Sequence, residues 1–278
     1  MVGPRAWIGG FFSRSSNRKF GSDKYLNYAL TPIQEERLQR LQERLGVPFD
    51  ETRTDHQEAL RDLWNAAFPN VKLKGLISEQ WKDMGWQGAN PSTDFRGCGF
   101  VSLENLLYFA RTYPLSIMLN YEMVFTNRSH LKVTFNRLLL KQVGSRAEWE
   151  YPFAVAGINV SFMLIQMLDL HSVKISPTMN SLKLVKSHDL TVFLFVTEKP
   201  RCLPGYNFVK LLEENEEAFD VLYCMAFALM DAQWLAMHAS YMEFNEVLQA
   251  TRTQLERELS LEDIHMVHDL PAHNLLYH

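Results

Sequence analysis

Between Tyr206 and Leu270 the chain contains neither glycine nor proline, and no other feature narrows its possible folds as far. Glycine loses the most backbone entropy on ordering and proline lacks an amide donor, so a stretch this long without either permits at least two long helices. Phe219, Leu222, Tyr223, Phe227 and Met230 form one apolar stripe within it. Trp234, Met237, Tyr241, Phe244 and Leu248 continue in alternating steps of three and four, the spacing of a buried helical seam. Such aromatics and methionines belong to a core, or to a seam with a partner helix, before any cofactor box.

The same period recurs upstream. Thr31, Pro32 and Gln34 read as a helix start: the threonine caps, the proline suits the first turn and the glutamine closes a capping box. Leu38, Leu41 and Leu45 then form a narrow stripe ending at Gly46, with Glu35, Glu36, Arg37, Glu43 and Arg44 as its solvated face. Leu60, Leu63, Trp64, Ala67 and Phe68 predict a second helix, with Trp64 in the core and Pro69 as its stop. Leu103, Leu106, Leu107 and Ala110 predict a third, closed by Pro114. The apolar run from Phe153 to Leu168 includes Asn159, Ser161 and Gln166. It is short and polar for a bilayer span and reads as a buried bundle helix.

The expected fold is all-α, a single helical-bundle domain over residues 31–270. Residues 1–30 carry Arg5, Arg14, Arg18, Lys19 and Lys24 against Asp23 and read as a disordered basic segment. Trp7, Ile8, Phe11 and Phe12 leave peripheral contact with an anionic membrane, or a transit-like peptide, as alternatives. Two stretches, about 115–134 and 172–198, lack helical periodicity, and the second ends in a strand-like run from Leu190 to Val196. Residues 271–278 form a short tail.

Composition excludes several functions. Of 278 residues 47% are hydrophobic, enough for a substantial core, and the net charge of −4 offers no basic field for nucleic acid. Cys98, Cys202 and Cys224 have no paired spacing, which suits a reducing compartment and a cytoplasmic location. No Ser/His/Asp or Cys/His set and no Walker loop has a local signature. The acidic pairs around Asn215 suit a helix N-terminus. His265, His268 and His273 are spaced for a metal, but mixed polar tails produce such spacing often; no metal or cofactor is expected.

One polar loop remains, Trp81 to Gly99. Gly85, Gly88, Gly97, Gly99 and Pro91 bar a regular element, while Trp81, Trp86 and Phe95 carry enough apolar area to pin it to a core. Near its end stands Arg96. Two readings stay open: Arg96 presents charge from a rigid loop, or it pairs with Asp94 and ties the loop to itself.

Residue by residue, the loop resembles the ELMO domain family. In that family a tryptophan, three residues, glycine, an aromatic and glutamine lead into Pro-x-Thr-Asp-Phe-Arg-Gly. Here these are Trp81, Gly85, Trp86, Gln87, Pro91, Thr93, Asp94, Phe95, Arg96 and Gly97, with Leu103 to Phe109 as the following helix. The resemblance covers most of residues 50–270 and is closest to stand-alone, plant-type members. Against it the two aperiodic stretches are insertions, resembling translated intron or an unusual splice form, and no function is assigned to them. Trp86 replaces the more usual phenylalanine, and Asn90 an acid.

The resemblance implies a GTPase-activating protein for Arf- and Arl-type small GTPases, with Arg96 as an arginine finger supplied in trans. Trp81, Gly85, Trp86, Gln87, Pro91, Thr93, Asp94, Phe95 and Gly97 would support the loop. The chain would then regulate a GTPase without being a self-contained enzyme. The alternative is a non-catalytic adaptor for a DOCK-type exchange factor in cytoskeletal or membrane-traffic signalling.

Overall fold

The computed structural model describes residues 28–113, 135–140, 151–170 and 198–277. They form an all-α domain with short 3₁₀ turns and, among the described residues, no strand. Helix α1 (Pro32–Leu45) starts as its local chemistry dictates. Gln34 donates its amide to Thr31 Oγ1 at 3.2 Å and Thr31 donates its own to Gln34 Oε1 at 3.1 Å. The others are α2 (Thr54–Ala67), α3 (Val101–Thr112), α4 (Phe135–Leu140), α5 (Phe153–Met167), α6 (Leu203–Glu214), α7 (Ala218–Ala236) and α8 (Phe244–Glu258).

Helix α7 is the axis of the bundle, packed by α3, α5, α6 and α8. Its Phe227 ring lies 5.0 Å from Phe153, 5.8 Å from Phe109 and 6.0 Å from Tyr223. By length and composition α7 would pass for a membrane span, but its side chains from Ala218 to Asp231 are buried in the bundle. Helix α5 approaches closely because Gly157 has no side chain: a Cβ there would lie 2.7 Å from both Leu106 Cδ2 and Tyr223 Oη. Ser161, one turn on, accepts from buried Asn105 at 3.1 Å, joining α5 to α3.

Several expectations are corrected. The stripe from Trp234 through Leu248 does not run along one helix: α7 ends at Ala236, and His238 takes φ 48°. Ser240 and Glu243 then cap a new start, leaving Met237 and Tyr241 on the surface. The C-terminal tail is part of the core, because Ala272 and Leu276 bury against it and buried Glu258 accepts the Ala272 amide at 2.9 Å. Residues 28–30, assigned to the disordered segment, are held in place. Tyr28 donates to the Pro200 carbonyl at 3.0 Å and packs edge-on against Tyr206.

Nor is the acidic cluster around Asn215 only a helix-terminus feature. Glu213 accepts from Thr31 and Gln34, both at 2.7 Å, and Glu216 pairs with Arg40 at 2.7 Å, tying α1 to the α6–α7 corner. The solvated face assigned to α1 fails at Arg44. Its guanidinium donates to Asp220 at 2.5 and 2.8 Å and to Glu104 at 2.9 Å, so α1, α3 and α7 meet on one arginine.

Residues 1–27, the insertions up to residues 134 and 197 and the strand-like run at 190–196 lie outside the described residues. The described flanks of both insertions meet in space. Phe135 donates its amide to the Tyr113 carbonyl at 2.9 Å, and Arg201 donates its amide to Asp169 at 2.9 Å.

Candidate functional site

The loop is more regular than its glycines suggested. It holds two 3₁₀ turns, Glu79–Met84 and Pro91–Gly97, whose first amides are capped by Ser78 and by Asn90. Gly85 ends the first at φ 85°, and a Cβ there would meet Phe153 N at 2.3 Å; only glycine lets the loop touch the start of α5. Gly99 closes the second at φ 74°, where a Cβ would meet the Val47 carbonyl oxygen at 2.5 Å. Gly88 has open space around it, so no close approach explains that glycine.

Beneath the loop runs a chain of rings. Trp64 meets Trp81 at 5.3 Å, Trp81 meets Trp86 at 6.1 Å and Trp86 meets Phe95 at 5.2 Å, all edge to face. Phe95 then stacks on Phe49 at 4.4 Å, and beyond Phe49 lie His56 and Phe100. Trp81, Trp86 and Phe95 are all buried. The indoles of Trp64 and Trp81 donate to the carbonyls of Val71 and Leu76 at 2.7 and 3.1 Å. The Trp86 indole nitrogen is buried with no partner among the described residues.

On this base Arg96 is exposed while its neighbours Asp94, Phe95 and Cys98 are buried. Asp94 does not pair with it. Its carboxylate accepts the Gln87 amide at 3.0 Å and the Thr93 hydroxyl at 3.4 Å, stitching one 3₁₀ turn to the end of the other. Burial pushes the Asp94 carboxyl up, against those two hydrogen bonds and, least of all, against the charge of Arg96. Among the described residues no carboxylate lies within ion-pair distance of Arg96.

The remaining residues divide by exposure. Pro91 is buried and starts the second turn; Gln87, Thr93 and Gly97 face solvent. Gln87 holds the loop through its backbone, and Thr93 donates to the Asn90 carbonyl at 3.0 Å. Cys98 is no nucleophile, its thiol being pushed up to about 12 by burial. His268 and His273 pack edge to face at 4.6 Å, and no group of three metal-binding side chains gathers among the described residues.

The supports contributed by residues 47–56 were not identified from sequence. Ser92 donates to Glu51 at 2.8 Å and Phe100 donates its amide to Val47 at 2.9 Å; Phe49 and His56 sit under Phe95 and Phe100. Isolated positions in a connecting segment carry no periodic signal that would have marked them. The resulting surface carries a permanently charged, planar guanidinium on a stiff turn, open to a second macromolecule and suited to bidentate contact with phosphate or carboxylate oxygens.

The family pattern described as ELMO/CED-12 matches residues 39–248. ELMO domain-containing protein A of Dictyostelium discoideum is 30% identical over 219 residues, covering 79% of this chain and 20% of that protein. ELMO domain-containing protein B of the same organism is 27% identical over 177 residues, covering 61% of this chain and 55% of the relative. ELMO domain-containing protein 2 of Homo sapiens is 32% identical over 127 residues, 46% of this chain and 36% of the relative. The chain thus spans from a fifth to about half the length of these relatives. With a match over most of its length and the tryptophan-anchored loop in place, the chain belongs to the ELMO/CED-12 family.

Proposed function

We propose that the chain is a GTPase-activating protein for small GTPases of the Arf/Arl type, with Arg96 inserted into the partner's nucleotide site as an arginine finger. One observation carries this reading: Arg96 is exposed and has no ion-pair partner among the described residues, at the end of a turn whose adjacent side chains are buried. The nearest acid in sequence, Asp94, is turned to the Gln87 amide, so the guanidinium keeps its charge for a partner.

The chemistry asked of it is limited. Charge builds on the transferring phosphoryl oxygens as the γ-phosphate leaves, and a guanidinium placed against them in trans is worth roughly a thousand- to a hundred-thousandfold in rate. The protein needs no pocket of its own. It needs a stiff support, which the rings from Trp64 to Phe100 supply, and hydrogen bonds that hold the turn without neutralising the cation.

The test is single-turnover GTP hydrolysis by a panel of Arf and Arl proteins with wild type, Arg96→Ala and Arg96→Lys. Acceleration by wild type that both variants lose by roughly a thousandfold, with binding retained, supports the finger. Lysine fails because it has no planar fork of donors. Binding with no acceleration by wild type overturns catalysis and leaves the adaptor for a GTPase regulator.

A further inference from the structure

Arg96 is bracketed by two rings, Phe95 immediately before it and Phe100 just after Gly99. Both are held by the segment that joins α1 to α2 and by the first turn of α2. Phe95 stacks on Phe49 with centroids 4.4 Å apart and planes 25° apart; Phe49 leans on His56 at 5.4 Å and 31°. His56 lies nearly parallel on Phe100 at 3.8 Å and 8°. The imidazole closes the stack and is fully buried.

Its hydrogen-bonding assigns its protonation. Nδ1 accepts the Asp50 amide at 3.0 Å, so the ring's hydrogen sits on Nε2, which is buried without a partner among the described residues. Protonating Nδ1 would turn an acceptor into a donor facing an N–H and place a cation with no acceptor inside a stack of rings. Attraction between a cation and aromatic faces offsets part of that cost, but it cannot supply the lost acceptor. Asp50 and Asp55 favour the charged ring and Arg53, paired with Asp55, opposes it. The Arg96 turn and the start of α3 bring Phe95 and Phe100 to the stack.

We infer that His56 is a positioning residue for Arg96: its neutral ring clamps the two phenylalanines that bracket the arginine, and acid opens the clamp. The catalytic consequence rests on the arginine-finger reading; the mechanical one does not. Among the described residues the stack holds one titratable member, so its integrity follows one proton. The loosening falls below the ordinary histidine value of 6.5.

Two measurements on the full chain from about pH 7.5 to about pH 5.5 test this, with wild type and His56→Phe, which keeps a ring but cannot titrate. The first is amide hydrogen exchange at Phe100 and Gln87, with Phe227 in α7 as the reference for global opening and intrinsic rates corrected for pH. The second is kcat and KM for GTP hydrolysis by the responsive GTPase. Support is a wild-type loss of Phe100 protection and of kcat by roughly tenfold, short of the ~100-fold that an ångström of misplacement costs, with KM unchanged and both profiles flat in His56→Phe.

Identical pH profiles in wild type and variant overturn the inference, as does wild-type Phe100 protection that does not change. Should His56→Phe not fold, the wild type decides alone. Phe100 opening that precedes Phe227 opening supports the clamp, and coincident opening overturns it. If no GTPase is accelerated at any pH the arginine finger fails, while the exchange profile still decides the clamp.

Discussion

The Asp94 carboxylate accepts the Gln87 backbone amide at 3.0 Å, a bond across seven residues that joins the two 3₁₀ turns and turns the acid away from Arg96. Asp94 is 4% exposed, so its partners decide the energetics of the loop. Removing the acceptor with Asp94→Ala breaks the hydrogen bond from the Gln87 amide to a charged group and costs about 1.5–3 kcal/mol. Asp94→Asn keeps an oxygen for that amide and sheds a buried charge, so its cost is below about 1 kcal/mol. Urea denaturation of the two variants checks this, and equal losses would contradict it.

Arg44 and Asp220 form the most enclosed ion pair among the described residues, with side chains 29% and 8% exposed. The Arg44 guanidinium is raised although burial alone would lower it, because hydrogen bonds and charge from Asp220 and then Glu104 outweigh desolvation. Arg44→Met strands the Asp220 carboxylate. The expected loss is about 2–3 kcal/mol, less than the 3–5 of a fully buried pair because Arg44 retains some water. Adding Asp220→Asn to Arg44→Met should recover at least half, which a double-mutant cycle measures.

Acid should weaken the fold in two stages. His56 and His273 are both held below the ordinary 6.5, by burial first. The unfolded chain therefore takes up protons before the native one, and stability fully present above 6.5 is lost as pH falls through the folded values. Asp50, Asp55, Glu243 and Asp269 are lowered by their hydrogen bonds, and their contribution, fully present above the ordinary 3.8 and 4.5, is lost as pH falls through the lower folded values. Asp94 runs the other way: burial raises it, so ionisation above 3.8 costs stability. A Tm profile that stays flat down to about pH 4 in wild type would contradict the histidine stage.

The Phe135 amide reaches the Tyr113 carbonyl at 2.9 Å, the bond that closes a turn with two central residues. Replacing residues 114–134 by Asn-Gly should therefore leave α3 and α4 where they are. Shortening the closed loop also lowers its entropic cost slightly. The expected outcome is unchanged helical circular dichroism and a Tm equal to or above the parent's. Loss of cooperative unfolding would show that the replaced residues hold the bundle together.

How much of this was legible in the chain depends on the range of each interaction. The α1 start was readable because Thr31 and Gln34 are three residues apart and satisfy each other. Ser240 and Glu243 carried the same signal, yet the steps of three and four through Met237 and Tyr241 masked it, since periodicity records spacing and not the break at His238. The loop's aromatics announced their burial by size, although nothing in their order gave the sequence of ring contacts.

What the chain alone determined was therefore local and compositional: helices from period and caps, an anchored loop from its tryptophans and glycines, and family membership from the run ending at Gly97. Only the tertiary structure decided which partner Asp94 takes and that Arg96 stays exposed. Asp94 had two routes to satisfaction, an adjacent guanidinium or a distant amide, and sequence proximity favours neither. The bundle settled it by carrying Gln87 to the carboxylate and Phe49 and His56 beneath the turn, because partners separated along the chain meet only when packing brings them together.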